Sequence, residues 1–196
     1  MAFYQSYKGT VNYRDKAGKK LNRASKRLKR LMRLTSAKRF LDVGCNYGFT
    51  VKAALDLGLD AKGIDIDNTA VSQSKESYGA TKFETISVQD YAARGEKADI
   101  IYTSEVIEHV PDPDSFVQAI AQILDKDGIL YLTTPDAGHW RRPKEFTQWE
   151  QAMPPEHITY FTRKGISALL QKHGLKVESF TFTLKPNLRL IARKMT

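Results

Sequence analysis

Cysteine is nearly absent: Cys45 is the single one in 196 residues. That excludes an internal disulfide and a cysteine-ligated zinc cluster, and it leads us to expect a reducing, cytoplasmic setting. Long apolar runs are missing as well. None approaches the roughly 20 residues that cross a bilayer, and the opening MAFYQSYKGT has no apolar signal-peptide core. Repeats and low-complexity tracts are absent. Acid is missing from one whole stretch. Between Lys16 and Arg39 stand Lys19, Lys20, Arg23, Lys26, Arg27, Lys29, Arg30, Arg33 and Lys38, with no Asp or Glu after Asp15.

What is present is otherwise ordinary for a globular chain: 41% hydrophobic and 27% charged residues, with a formal charge of +9. The length fits one domain with a full core. In the basic stretch Leu21, Leu28, Leu31 and Leu34 recur at near-helical spacing, so it reads as a basic amphipathic helix. Two readings stay open for its charged face. One is a solvated surface on a capping helix; the other is a surface for phosphate, nucleic acid or anionic lipid.

Beyond that helix, strand and helix patterns alternate. Strands are expected at Phe40–Val43, Ala61–Ile66, Lys82–Ile86, Asp99–Thr103 and Ile129–Thr133. Helices are expected at Phe49–Leu57, Thr69–Ser77, Pro113–Leu124 and Thr162–His173, the last ended by Gly174. Leu175–Leu184 and Leu188–Arg193 read as a terminal hairpin about Pro186–Asn187. The segment Pro135–His157 holds four of the seven prolines and both tryptophans, and reads as a long ordered loop or lid. This alternation implies an α/β fold: a doubly wound, Rossmann-like sheet of seven strands, mostly parallel, with one antiparallel strand from the C-terminal hairpin. We expect a single domain. Residues 1–37 would be an aromatic segment and basic helix, 38–134 a cofactor-binding core, 135–160 a lid over the acceptor, and 161–196 the last helix and hairpin.

Ligands of such sheets bind beyond the carboxyl ends of the strands, so the residues after each strand carry the chemistry. The first strand exits through LDVGCNYG. A dinucleotide fingerprint would place glycine at 44, 46 and 49, but positions 46 and 49 are Asn and Phe. Asp42 also disfavours a pyrophosphate and favours a ligand with a cationic end. Gly44 and Gly48 permit close approach and a sharp turn, Asn46 tolerates the left-handed region, and the following helix N-terminus suits a carboxylate. The arrangement fits an amino-acid head group. Asp65 lies 21 positions after Gly44 and ends the second strand, where an acid holds ribose hydroxyls. Ile66 is placed to pack on an adenine ring, and Asp90 to accept from its amino group. A ligand with amino-acid, ribose and adenine parts is S-adenosylmethionine. Cys45 reads as a small packing residue rather than a nucleophile, because no basic partner is adjacent.

These stretches together resemble the class I S-adenosylmethionine-dependent methyltransferases. LDVGCNYG is similar to their first motif, with Asn46 in place of a usual glycine, and GIDID to the acidic second motif. ADIIYTSEVIEHVPDP resembles the segment after the fourth strand and DGILYLTTPD the fifth. PPEHITYFTRKGISALLQKHGLKV resembles the tail of the ubiquinone-biosynthesis-type subgroup. The resemblance covers roughly residues 38–183. It implies a cofactor site of Asp42, Gly44, Cys45, Asn46, Gly48, Asp65, Ile66, Asp90, Tyr91, Ser104 and Glu105.

Methyl transfer from a sulfonium is an in-line displacement in which the enzyme positions and dehydrates the reactants. A hydroxyl acceptor also needs its proton removed, or a metal that lowers its pKa. Glu105, Glu108 and His109 stand at i, i+3 and i+4, on one face if they form a helical turn. His157 would arrive from the lid. Two carboxylates and two imidazoles suit one divalent ion such as magnesium, manganese or zinc. The set resembles the E-x-x-E-H plus distant histidine of metal-assisted O-methyltransferases, including small-RNA 2′-O-methyltransferases, although Val110 stands where the RNA family has a second histidine. Three readings remain: a metal on Glu105, Glu108, His109 and His157; metal-free catalysis by His109 or His157 with Glu105; or a purely structural set. Phe3, Tyr4, Tyr7 and Tyr13 are expected either to fold over the cofactor or to pack locally. Trp140, Phe146, Trp149, Tyr160 and Phe161 are expected to line an acceptor pocket. Arg141, Arg142 and Lys144 fit either an anionic or aromatic acceptor or a solvated rim. The expected function is O-methylation of a small hydroxylated molecule. RNA methylation through the basic helix and a non-catalytic cofactor-binding protein are the alternatives.

Overall fold

The computed structural model describes residues 17–36 and 38–195. Phe3, Tyr4, Tyr7 and Tyr13 lie outside the described residues. The chain divides into two compact units at the boundary between Ser87 and Val88.

The first unit begins with helix α1 (Ala17–Leu31), which realises the basic amphipathic pattern. Ala24, Leu28 and Leu31 are buried while Lys19, Arg23, Lys26, Lys29 and Arg30 face water. Strand β1 (Arg39–Val43), helix α2 (Phe49–Asp56), strand β2 (Asp60–Asp65), helix α3 (Asn68–Tyr78) and strand β3 (Phe83–Thr85) follow. α1 packs on α2. β1 is buried from its second residue onward, as expected of a parallel strand covered on both faces. β2 pairs in parallel with β1 and with β3, and Asp42 lies opposite Gly63. Asp67 caps α3, its carboxylate accepting from the Thr69 and Ala70 amides at 2.8 and 3.2 Å.

The second unit holds helix α4 (Val88–Ala93), strand β4 (Ala98–Ser104), helix α5 (Pro113–Ile123), strand β5 (Leu124–Pro135), helix α6 (Arg163–Lys172) and strands β6 (Leu175–Phe180) and β7 (Asn187–Lys194). α5 opens on an Asp112 cap with Pro113 in its first turn. β4 and β5 pair in parallel, and β7 runs antiparallel between β5 and β6. The strand order of the seven-stranded sheet is β3-β2-β1-β4-β5-β7-β6. This is the expected α/β class: a mostly parallel, seven-stranded sheet with one antiparallel strand supplied by the C-terminal hairpin.

The structure departs from the sequence expectations in three places. α4 fills a stretch not expected to be helical. The stretch from Glu105 to His109 is not one α-helical turn: only Ile107–His109 forms a 3-10 turn, and Glu105 sits before it at φ 57°. β6 ends at Phe180 rather than Leu184, because the Thr183 side chain turns inward and bonds to the Lys185 and Asn187 carbonyls. The lid segment is the long loop expected, broken only by a 3-10 turn at Phe146–Gln148. Among the described residues, no helix is long and apolar enough to cross a membrane.

Candidate active site

In the first unit, the exit of β1 forms a tight loop. Gly44, Asn46 and Gly48 all have positive φ, at 79°, 47° and 69°. A side chain at Gly48 would place its Cβ 2.5 Å from the Phe83 ring, so a glycine is needed there for space as well as for backbone conformation. The Gly44 and Cys45 amides donate to the Ile64 carbonyl at 2.9 and 3.0 Å. The Asn46 amide donates to Asp65 Oδ2 at 2.8 Å, the Asp67 amide to Asp65 Oδ1 at 3.0 Å, and the Ser74 hydroxyl to the Asn46 carbonyl at 3.0 Å. Asp65 therefore anchors the loop. The Ile66 amide bonds it as well, and since a carboxylate offers about four acceptor positions Asp65 keeps room for a further partner such as a ribose hydroxyl. Ser74 and this anchoring role of Asp65 were missed from the sequence.

Asp42 is only 3% exposed. Burial pushes its carboxyl up to about 8, the Asp65 carboxylate adds to the rise, and the Thr50 hydroxyl opposes it. Burial also raises Asp65, against the amides that bond it. A buried carboxyl beside a half-buried one, both raised by burial, is what a cationic ligand group would complete. Ile66 is 60% exposed at the end of β2, free to cover a flat ring. Cys45 is buried and its thiol is pushed far above its usual range, first by burial and then by Asp42 and Asp65. It is a packing residue and not a nucleophile.

In the second unit, Asp90 and Tyr91 lie on α4. Asp90 is exposed, and Tyr91 is buried with its hydroxyl donating to Glu96 at 2.9 Å. At the end of β4, Ser104 and Thr133 share a hydroxyl bond at 2.7 Å. Glu105 Oε1 accepts from Thr133 Oγ1 at 2.6 Å and from Asn187 Nδ2 at 2.8 Å, so β5 and β7 hold it in its left-handed conformation.

Glu108 is fully buried. Its Oε2 accepts from Thr134 Oγ1 at 2.9 Å, whereas its Oε1 has no partner. Burial pushes the carboxyl up to about 8, and the neighbouring Glu105 carboxylate raises it further. His109 Nδ1 lies 2.8 Å from the Glu156 carbonyl, and His157 Nδ1 lies 2.7 Å from the Gln151 carbonyl. A carbonyl only accepts, so both Nδ1 atoms carry the proton and both Nε2 atoms present lone pairs. The two rings sit 4.6 Å apart. One ligand atom from each of Glu108, His109 and His157 lies within 4.8 Å of the others. Imidazoles oriented by backbone carbonyls around an unpartnered, buried carboxylate oxygen form a donor set that suits a divalent metal. Glu105 is not one of the three that converge. The Glu108 carbonyl also accepts from the Ile158 and Thr159 amides at 2.9 and 3.2 Å, which ties the lid to the 3-10 turn.

Of the expected acceptor-lining aromatics, Phe146, Trp149 and Tyr160 cluster with centroids 4.8 to 5.8 Å apart, and His157 stands 6.2 Å from Tyr160. Trp140 stands apart from them, 73% exposed and stacked on His139. Thr133, Thr134 and Asn187 had no sequence signal, since they meet the acidic pair only through strand register.

The family described as Methyltransferase domain matches this chain over residues 12–179. A ubiquinone biosynthesis O-methyltransferase of Thiobacillus denitrificans is 35% identical over 105 residues, covering 50% of this chain and 45% of that protein. One from Bartonella tribocorum is 31% identical over 156 residues, covering 70% and 63%. This chain thus spans about half the length of several curated relatives it matches. A solved S-adenosylmethionine-dependent methyltransferase from Clostridium acetobutylicum shares the fold at TM-score 0.73 and 9% identity, over 97% of this chain and 99% of that one. The strand order, the glycine-bearing loop after β1 and the extent of the profile match agree, and the chain belongs to the methyltransferase-domain family.

Proposed function

We propose that this chain transfers a methyl group from S-adenosylmethionine to a hydroxyl of a small molecule. The observation that carries the reading is the buried Asp42 and the half-buried Asp65 at the exits of β1 and β2, around a loop with three positive-φ residues. Asp42 would meet the donor's ammonium, the loop amides of residues 44–48 its carboxylate, Asp65 its ribose, and Ile66 its adenine. Curated relatives named as O-methyltransferases support a hydroxyl acceptor.

Glu108, His109 and His157 would hold a divalent ion, with Glu105 next to them shaping the charge. Such an ion supplies Lewis acidity that lowers the pKa of a bound hydroxyl. Two imidazoles beside carboxylate suit zinc or manganese at least as well as magnesium. The backbone carbonyls of Glu156 and Gln151 keep both Nε2 atoms aimed for the task, and the Phe146, Trp149 and Tyr160 rings would give the acceptor an apolar wall that excludes water.

The test is labelled-methyl transfer from S-adenosylmethionine to phenols, sugars and lipid precursors, with and without a chelator. We expect transfer that a chelator abolishes and added magnesium, manganese or zinc restores, and that His109→Ala and His157→Ala each reduce by at least a hundredfold. Calorimetry showing no binding of S-adenosylhomocysteine would overturn the donor assignment. Transfer indifferent to chelation would overturn the metal assignment alone. Transfer to RNA that falls steeply with salt would replace the small acceptor by a nucleic acid.

A further inference from the structure

Helix α1 carries cations that the fold itself does not use. Lys19, Arg23, Lys26 and Arg30 stand at i, i+4, i+7 and i+11, and all four are exposed. At about 100° per residue they fall within roughly 60° of arc, along about 17 Å of helix. Lys29, also exposed, borders the row. Ala24, Leu28 and Leu31 are buried on the opposite side, and α1 packs on α2. The first turn of α1 holds no acid, so Lys19 stands at the end of the helix where a cation is unfavourable. From residue 16 to residue 41 the chain has no Asp or Glu at all. Acids elsewhere in the same unit are engaged: Asp56 pairs with Lys52 and Asp60 with Lys82. Among the described residues, no acid pairs with any of the four cations of the row.

The composition of the face selects its partner. An interfacial helix sinks its apolar side into a bilayer, but here that side is already buried in the fold. A protein interface is built around a buried aromatic or aliphatic anchor. Besides its cations, α1 exposes only Gly18 and Asn22, so it offers no such anchor. A nucleic acid needs neither feature. A duplex presents one charge per about 1.7 Å, about ten along the length of this row, and cations alone bind it by releasing its counterions. Proteins that hold single strands add aromatic rings on which bases stack, and α1 exposes none. That leaves contact with phosphate and no reading of base edges.

We propose that Lys19, Arg23, Lys26 and Arg30 of α1, bordered by Lys29, form a sequence-independent docking surface for the phosphodiester backbone of a nucleic acid duplex. The inference does not depend on the methyl-transfer reading. None of these residues belongs to the donor loop or the Glu108, His109, His157 set, and docking requires no methylation of the nucleic acid.

The test is fluorescence anisotropy of the full chain with labelled duplex RNA and duplex DNA, each in two unrelated sequences and at stepped salt concentrations. We expect at least one type of duplex to bind, equally in both sequences, with log K falling against log salt at a slope of about −3 to −4 for four phosphate contacts. Each of Lys19→Gln, Arg23→Gln, Lys26→Gln and Arg30→Gln should reduce that slope by about one. The four changes together should weaken binding by about a hundredfold or more at low salt. Arg23→Lys with Arg30→Lys should keep the slope, since a phosphate also accepts a point charge. The positions are exposed, so an unchanged melting midpoint in the same variants verifies folding. Absence of duplex binding would overturn the proposal, as would binding that the four changes together leave intact or a strong preference for one sequence. Polyglutamate bound as tightly as duplex, charge for charge, would assign the row to an acidic protein and overturn it. Phosphatidylglycerol vesicles that bind through the same four residues while duplexes do not would assign it to lipid and overturn it as well.

Discussion

Asp42 shows how a single buried carboxyl links stability to ligand. Its ordinary value is 3.8 and the fold raises it to about 8. Between those values the native chain holds a proton that the unfolded chain has released, so this group's contribution to stability declines as pH rises through the window. A ligand ammonium favours the ionised form. We expect S-adenosylhomocysteine binding at pH 7 to release a proton, and affinity to climb with pH until about 8. Calorimetry in buffers of different ionisation enthalpy reads this directly, and a buffer-independent heat would contradict it. Asp42→Asn should leave stability equal or higher at pH 8 while weakening ligand binding. At Gly48 the constraint is steric. Gly48→Ala brings Cβ to 2.5 Å from Phe83 at a φ of 69°, and should cost about 1–3 kcal/mol in urea denaturation. At this scale the sequence was informative where spacing along one segment decides. Asp42 and Asp65 follow from strand exits and the distance between them. The bond from the Asn46 amide to Asp65 and the grip of Asn187 on Glu105, 82 positions away, require the folded register.

At the scale of elements, α1 separates charge from packing. Leu28 and Leu31 are buried while most of its cations face water, with Lys20 lying over the Phe49 ring of α2. Leu28→Ala, at a fully buried position, is expected to destabilise by about 2–4 kcal/mol. Lys26→Gln with Lys29→Gln should stay within about 0.5 kcal/mol. Parallel urea melts distinguish the two, and equal losses would mean the charged face is packed. Long periodic helices such as α1 and α5 were legible because side-chain period reports burial directly. α4 was not, because six residues make less than two turns of pattern. The i, i+3, i+4 spacing of Glu105, Glu108 and His109 suggested a shared helical face, but Glu105 takes a left-handed backbone and the turn tightens to 3-10. Glu108 and His109 still converge with His157, because the lid amides of Ile158 and Thr159 bond the Glu108 carbonyl. Spacing picked out the converging side chains for a reason other than the one it implied.

At the scale of the molecule, the alternation of strands and helices announced a parallel sheet, and the terminal hairpin its one antiparallel strand. Strand order was beyond that pattern, since alternation fixes direction but not neighbours. Each proposed ligand binds the native chain and not the unfolded one. S-adenosylhomocysteine and a divalent ion should therefore each add about 2.7 kcal/mol to stability at a hundredfold excess over Kd, and so raise the melting midpoint. They use separate residues, so the shifts should add. Scanning fluorimetry with each ligand alone and with both measures this, and a metal shift that survives His109→Ala with His157→Ala would place the ion elsewhere.

The buried carboxyl beneath the glycine loop carries one more implication. If the proposed donor binds there, the buried acid is a fault line that the donor would close on arrival. Cells short of that nutrient-derived donor would then hold a chain more prone to open and be degraded, and its abundance would track the supply of its own co-substrate.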